Sequence, residues 1–368
     1  MARVAVNGIH LNVEVWPSPQ GPPSPPGPWL TGPSDPSRGS DGPARLSLTV
    51  GEGGTTVEAV ASALPSHVQG ERIGRDTVEG LPSPAHGRGV GGEGILLLHG
   101  FTGGVSVWRE HAPVLARHAT VVAVDLIGHG HSDAPGDPAR YSMARCVADL
   151  LAVLDHLGLA RVAVLGYSMG ARVALHLAAA APDRVSALIL ESGSPGLAAE
   201  EERRARRDSD EALAARIERD GVERFVDYWE ALPLFATQRQ APPAVQIVQR
   251  QQRLSNSATG LANSLRGMGT GAQASLWNCL CELHMPTLLI VGALDDKFGA
   301  IGRAMAAALP RARLAIVLDA GHTVHLEQPE EFDRLVTDFL HVHWSATEVA
   351  WQTTATKVAS RHCCGLAE

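Results

Sequence analysis

The sequence predicts an α/β fold built on a mostly parallel central sheet with helices on both faces. Three observations carry that expectation. Short apolar runs recur at residues 95–98 (ILLL), 121–125 (VVAVD), 162–165, 185–190, 287–291 and 314–318. Helix-length segments lie between them at 108–118, 142–157, 171–181 and 301–308. Gly-rich turns follow the runs ending at 98, 125 and 165. Strands that are apolar on both faces belong in a sheet covered on both sides. Such sheets bind ligands at the carboxyl ends of their strands.

Upstream of this pattern, residues 3–15 read RVAVNGIHLNVEV, two alternating runs around Asn7-Gly8. That dipeptide between β-rich segments predicts a hairpin, with Val4, Val6, Ile9, Leu11, Val13 and Val15 on one face. Residues 17–93 are dense in Pro, Gly and Ser through their first half and show no sustained period. They are expected to form a mostly disordered insertion between the second and third strands. Deleting 17–93 should therefore leave folding and activity nearly unchanged; an insoluble deletion product would refute that expectation. Between 194 and 278 no strand pattern is visible, and the residues are helical and polar. A helical insertion between the sixth and seventh strands reads as a lid over the site. The resulting organisation is a hairpin (1–16), the insertion (17–93), the core domain in two parts (94–193 and 279–342), the lid (194–278) and a C-terminal tail (343–368).

Composition narrows the function classes. Of 368 residues, 45% are hydrophobic, enough for a large core, and the net charge of −8 offers nucleic acid no electrostatic partner. No apolar stretch approaches the ~20 residues of a membrane span, and no secretory leader pattern is visible. Five cysteines (Cys146, Cys279, Cys281, Cys363, Cys364) fit neither a disulfide framework nor a four-ligand zinc site. A cytoplasmic protein without metal or cofactor is expected.

The chemistry centres on Gly166-Tyr167-Ser168-Met169-Gly170-Ala171-Arg172, set between an apolar run and a helix-like one. Strand, G-x-S-x-G and helix together make a nucleophile elbow, with Ser168 on a strained turn at a helix N-terminus. A serine hydroxyl needs a base, and the base needs an orienting carboxylate. The elbow fold orders these Ser, acid, His along the chain. After the seventh strand, Asp295 fits the acid better than Asp296; after the eighth, His322 fits the base better than His325. His99, His129 and His131 also sit at strand ends and are read as structural, bridging loop backbones. The backbone N–H of Met169, with one near Phe101 or Thr102, would form the oxyanion hole. Arg172 lies one turn after Ser168 on the same helix face. It requires an anion, either an internal carboxylate or a substrate.

A wider set of motifs is shared with a known family: HGFTGG from His99, GYSMGAR from Gly166, SPGL from Ser194, the run from Arg203 to Asp210, YWEALPLF from Tyr228, GLANSLRGMGTG from Gly260, DDKF from Asp295 and AGHTVH from Ala320. Over roughly 1–16 and 94–342 the chain resembles the 2-succinyl-6-hydroxy-2,4-cyclohexadiene-1-carboxylate synthases of menaquinone biosynthesis, members of the α/β-hydrolase superfamily. The lid motifs and Arg172 single out the synthases; HGFTGG, the run from Arg203 to Asp210 and AGHTVH, each taken alone, say only α/β-hydrolase. The resemblance implies a lyase acting on a small anionic substrate, with Ser168, His322 and Asp295 as base and no acyl-enzyme. It implies that Arg172 and Arg206, or Arg203 in an alternative register, hold substrate carboxylates. It also places Trp229, Phe235, Tyr167 and Thr102 around the pocket, although Trp229 and Phe235 also suit a plain lid core. Ala171 departs from the family's usual glycine, and 17–93 has no counterpart in its pattern.

Two other functions are weighed against this one. An esterase or carbon–carbon-bond hydrolase would keep the triad, but a neutral ester needs no cationic pocket. A burst of acyl-enzyme from activated esters would favour it. A non-catalytic binding protein on the same fold would be expected to have lost a triad member, and none is lost here.

Overall fold

The chain opens with strands β1 (Ala2–Val6) and β2 (Ile9–Trp16), paired antiparallel with Val4 opposite Leu11. The intervening Asn7 and Gly8 have φ of 48° and 81°, the left-handed pair that a two-residue hairpin turn requires. Val4, Val6, Ile9, Leu11 and Val13 are buried, as the alternation predicts, while Val15 is only partly covered. The computed structural model describes residues 1–18 and 92–350. The expectation for 17–93 therefore lies almost wholly outside the described residues, although strand β2 does end at Trp16 and β3 does begin at Gly92.

Six further strands complete one sheet: β3 (Gly92–Leu98), β4 (Thr120–Val124), β5 (Leu159–Tyr167), β6 (Val185–Glu191), β7 (Thr287–Gly292) and β8 (Ala312–Val317). Their order is β1-β2-β4-β3-β5-β6-β7-β8. Pairing is antiparallel from β1 through β4 and parallel from there to β8. Period-2 alternation splits β3 between two cores. Leu96 and Leu98 join one; Ile95 and Leu97 join the other. All four are fully buried, and each contributes about 1.5–3 kcal/mol by burial.

The first core is closed by α2 (Met143–His156), α3 (Met169–Ala180) and α7 (Asp296–Ala308); the second by α1 (Ala112–Leu115) and α9 (Pro329–Ala350). Two elements differ from the sequence expectation. The helix expected over 108–118 shrinks to the four residues of α1 after a 3-10 turn at Val105–Trp108. Pro113 is the reason, because proline fits only the first turn of a helix and so sets its start at Ala112. The last helix runs on to Ala350, past position 342, with no Gly or Pro to end it.

Between β6 and β7 lie α4 (Glu200–Glu230), α5 (Pro243–Leu254) and α6 (Ala258–Met268). They form the helical insertion that the sequence predicts. Their own small core contains Ile217, Phe225, Val226, Leu261 and Leu265. Arg266 on α6 clamps α4 through Glu211 at 2.8 Å and Glu218 at 2.6 Å. Gly221, at φ 82° and ψ 168°, kinks α4, a conformation essentially confined to glycine. The kink separates a half carrying Arg206 from a half carrying Trp229.

Candidate active site

Strand β5 runs directly through Tyr167 and Ser168 into α3. Ser168 has φ 51° and ψ −103°, a strained conformation of about 1–3 kcal/mol that the surrounding packing must enforce. The two elbow glycines make it possible. A Cβ on Gly166 would come within 2.4 Å of the Gly170 backbone, and one on Gly170 within 2.1 Å of the Leu98 carbonyl oxygen. Ala171, the departure from the family pattern, is fully buried with its methyl group facing Gly193. Glycine at 193 makes the room, since a Cβ there would lie 2.5 Å from the Ala171 methyl.

The three predicted catalytic side chains meet at this turn. His322 Nε2 lies 3.1 Å from Ser168 Oγ, and its Nδ1 lies 2.8 Å from Asp295 Oδ2. Asp295 caps α7, its other oxygen accepting the Phe298 N–H at 3.0 Å. Burial raises the pKa of the Asp295 carboxyl group, but the hydrogen bonds from His322 and the Phe298 amide outweigh that and hold it below its ordinary value. A charged Asp295 accepts from Nδ1–H and so leaves Nε2 as the basic atom facing Ser168. Asp296, by contrast, is exposed. His325 sits on α8 (Val324–Glu327), paired at 2.8 Å with the fully buried Glu191 and away from Ser168 Oγ.

The oxyanion side is equally well placed. Met169 is the first residue of α3, so its N–H has no partner within the helix. Among the described residues neither that amide nor the Phe101 amide finds a protein acceptor. Thr102 takes φ 68°, and its carbonyl oxygen accepts from Asn256 Nδ2 at 2.9 Å, which ties this loop to the lid. Phe101, Thr102 and Met169 all line the cavity that contains Ser168.

His99 and His129 serve the loops, as predicted. His99 Nδ1 donates to the Gly100 carbonyl at 2.8 Å, and its Nε2 accepts the Leu126 N–H at 2.9 Å. His129 Nδ1 meets the Ile127 carbonyl oxygen at 3.1 Å. Burial holds both rings neutral, taking His129 down to about 3 with help from His99. The ring of His131 is exposed, and its backbone N–H donates to Asp125.

The cavity encloses about 1080 Å³, with Ser168 and His322 on one wall and lid residues on another. Arg172 Nη1 donates to the Met268 carbonyl at 2.6 Å and to Gln273 Oε1. Among the described residues it has no carboxylate within ion-pair distance. Burial, with repulsion from Arg206, lowers its pKa to about 10 despite the pull of Asp210. Arg206 also faces the cavity, with Nε on Asp210 at 2.8 Å. Arg203 is held elsewhere, by Glu200 and by the Leu197 and Ala198 carbonyls at 2.8 Å. Of the two registers, the geometry favours Arg206.

Trp229 packs on the lid core, Phe235 packs on Trp229, and both line the cavity. Trp229 packs 5.3 Å from Phe101 and 5.5 Å from Phe235, whose ring lies 6.2 Å from His322. Tyr167 packs 5.5 Å from His322, and its hydroxyl meets Thr323 Oγ1 at 2.8 Å. The sequence reading missed the next links. Gln238 Nε2 donates to the same Thr323 oxygen at 2.6 Å, and Arg253 Nη2 donates to Gln238 Oε1 at 2.8 Å. Arg253 thus lines the cavity as well as Arg172 and Arg206, held in turn by Glu230 at 2.9 Å. Phe298, 4.5 Å from the His322 ring, was also missed. Its place three residues after the acid in DDKF was the available signal. Among the described residues no cluster of three or more His, Cys, Asp or Glu side chains could hold a metal, and no helix is long and apolar enough to cross a membrane.

Comparison with known proteins agrees with this geometry. Residues 94–329 match the family described by the alpha/beta hydrolase fold. A Bacillus subtilis (strain 168) protein bearing the name 2-succinyl-6-hydroxy-2,4-cyclohexadiene-1-carboxylate synthase is 47% identical over 248 residues, which is 67% of this chain and 90% of that relative. The synthase of that name from Klebsiella pneumoniae (strain 342) is 34% identical over 235 residues, covering 64% of this chain and 88% of its own length. Among solved structures, MenH from S. aureus superposes with a TM-score of 0.66 at 36% identity, covering 68% of this chain and 94% of that one. With the elbow, the triad and the lid in place, the chain belongs to the 2-succinyl-6-hydroxy-2,4-cyclohexadiene-1-carboxylate synthase family of α/β-hydrolase-fold enzymes.

Proposed function

We propose that this chain eliminates pyruvate from 2-succinyl-5-enolpyruvyl-6-hydroxy-3-cyclohexene-1-carboxylate to give 2-succinyl-6-hydroxy-2,4-cyclohexadiene-1-carboxylate. The observation that carries the reading is an intact triad beside a cationic wall, with Arg172 facing the cavity without a counterion. A neutral ester has no use for that charge; a substrate bearing several carboxylates does.

In this mechanism Ser168 Oγ removes the ring proton while His322 Nε2 takes the serine proton, and Asp295 stabilises the imidazolium that forms. The electron pair of the broken C2–H bond becomes the 2,3 double bond, and the electrons of the existing 3,4 double bond move to the 4,5 position as the C5–O bond breaks. The electrons of that C–O bond leave with the enolate of pyruvate, which is protonated to pyruvate. The Phe101 and Met169 amides hold the enolate-like charge that develops on the way. Arg172 and Arg206 fix the carboxylates, and Trp229, Phe235 and Tyr167 enclose the ring. No bond to Ser168 Oγ is needed.

The test is a pyruvate-release assay with the purified protein and this substrate, run beside Ser168→Ala. Release by wild type should fall by about 10³-fold or more in the variant. Wild type that releases no pyruvate but hydrolyses a simple ester would overturn the lyase reading in favour of acyl chemistry on the same triad.

A further inference from the structure

We propose that Gln273 is a positioning residue that holds Arg172 through a neutral acceptor, leaving the arginine's charge for a substrate carboxylate. The inference rests on the anionic-substrate reading above and adds a residue to it. Gln273 is 2% exposed and lies 101 residues from Arg172 in sequence. Its Oε1 and the Met268 carbonyl oxygen both accept from Arg172 Nη1. A guanidinium carries two hydrogens on that nitrogen, so these acceptors use both. Among the described residues Nε and Nη2 have no acceptor in the protein and remain for a ligand.

The opposite end of the same amide shows what this arrangement costs. Gln273 Nε2 is buried without a hydrogen-bond partner, and native interiors rarely leave a buried donor unpaired. Glutamate has the same shape. It would give Arg172 a counterion at 2% exposure while leaving one unpaired polar atom where glutamine also leaves one. Glutamine forgoes that gain, as a residue does when function opposes stability.

The other neighbours agree. His176 lies one turn beyond Arg172 on α3 and is kept neutral, burial and Arg172 together pushing it down to about 4. The nearby carboxylate, Asp210, is engaged by Arg206 Nε at 2.8 Å. Asp210 is thus paired with Arg206, and the charge of Arg172 has no paired carboxylate among the described residues.

The experiment compares wild type, Gln273→Glu and Gln273→Met by pyruvate-release kinetics and thermal melting. Gln273→Glu should raise KM on the order of 100-fold with kcat within about threefold, the signature of lost ground-state binding. Its melting temperature should equal or exceed that of wild type. Gln273→Met keeps the charge of the wall and loses only the aim of Arg172, so KM should rise about 10-fold. Equal losses in the two variants, an unchanged KM in Gln273→Glu, or a Gln273→Glu protein that does not fold would overturn the inference, because it holds that a carboxylate fits the position and spoils only the charge. If wild type releases no pyruvate, the lyase reading fails separately. Calorimetric binding of citrate, a tricarboxylate probe, then decides about Gln273. Weakening of about 100-fold in Gln273→Glu supports it; no citrate binding by wild type, or equal binding by both, overturns it.

Discussion

Asp295→Asn is expected to lower pyruvate release by about 10³–10⁴-fold with little change in KM. The asparagine amide matches the carboxylate in shape but presents both a donor and an acceptor to the ring. His322 Nδ1 lies 2.8 Å from Asp295 Oδ2. An N–H₂ group turned there makes Nδ1 the acceptor and puts the imidazole proton on Nε2, facing Ser168 Oγ. The base is then blocked. Because Phe298 N–H occupies the other oxygen at 3.0 Å, the amide's carbonyl is drawn to the helix cap and its nitrogen to the histidine. Stability should report the same change. The Asp295 pKa is depressed in the folded protein, so its contribution is present above the unfolded aspartate value of about 3.9 and is lost as pH falls through the folded value. The asparagine variant lacks that contribution at neutral pH and should show less loss of stability on acidification. Equal turnover by Asp295→Asn and wild type would remove Asp295 from the triad.

Arg172→Ala is expected to reduce kcat/KM for the anionic substrate by about 10²–10³-fold, the cost of removing one partner of a desolvated charge pair. Hydrolysis of a small neutral ester, measured in parallel, should be spared, since Ser168, His322 and the Met169 amide are untouched. The structure sharpens this expectation. The protein partners of Arg172 are the Met268 carbonyl oxygen and Gln273 Oε1, so truncation breaks no ion pair within the protein, and its effect on melting should be small. Equal loss of both activities, or collapse of the fold, would show that Arg172 holds the lid rather than the substrate.

What could be read directly from the chain was local or ordered. Asn7-Gly8 predicts its hairpin because two positive φ angles are a property of two adjacent residues. The elbow is local too. Gly166, Ser168 and Gly170 lie within five positions, and the contacts excluding a Cβ from both glycines follow from strand, turn and helix meeting in that order. Asp295 and His322 were legible because a parallel sheet delivers the ends of β7 and β8 to the same edge as the end of β5.

The cationic wall was decided in three dimensions. Arg203 and Arg206 are three residues apart, about 60° around a helix, so periodicity alone cannot tell which one faces the cavity. The start of α4 decides it by drawing Arg203 back onto the Leu197 and Ala198 carbonyls. Arg253 lines the cavity and is tied to Thr323 through Gln238, three segments joined by side-chain hydrogen bonds between distant positions. Gln273 meets Arg172 across 101 residues. The sequence by itself determined the fold class, the elbow and the order of the triad, because these depend on backbone geometry repeated along a sheet. Only the tertiary structure decided which arginines line the cavity and why Arg172 keeps its charge, because those depend on how the lid helices are rotated and docked.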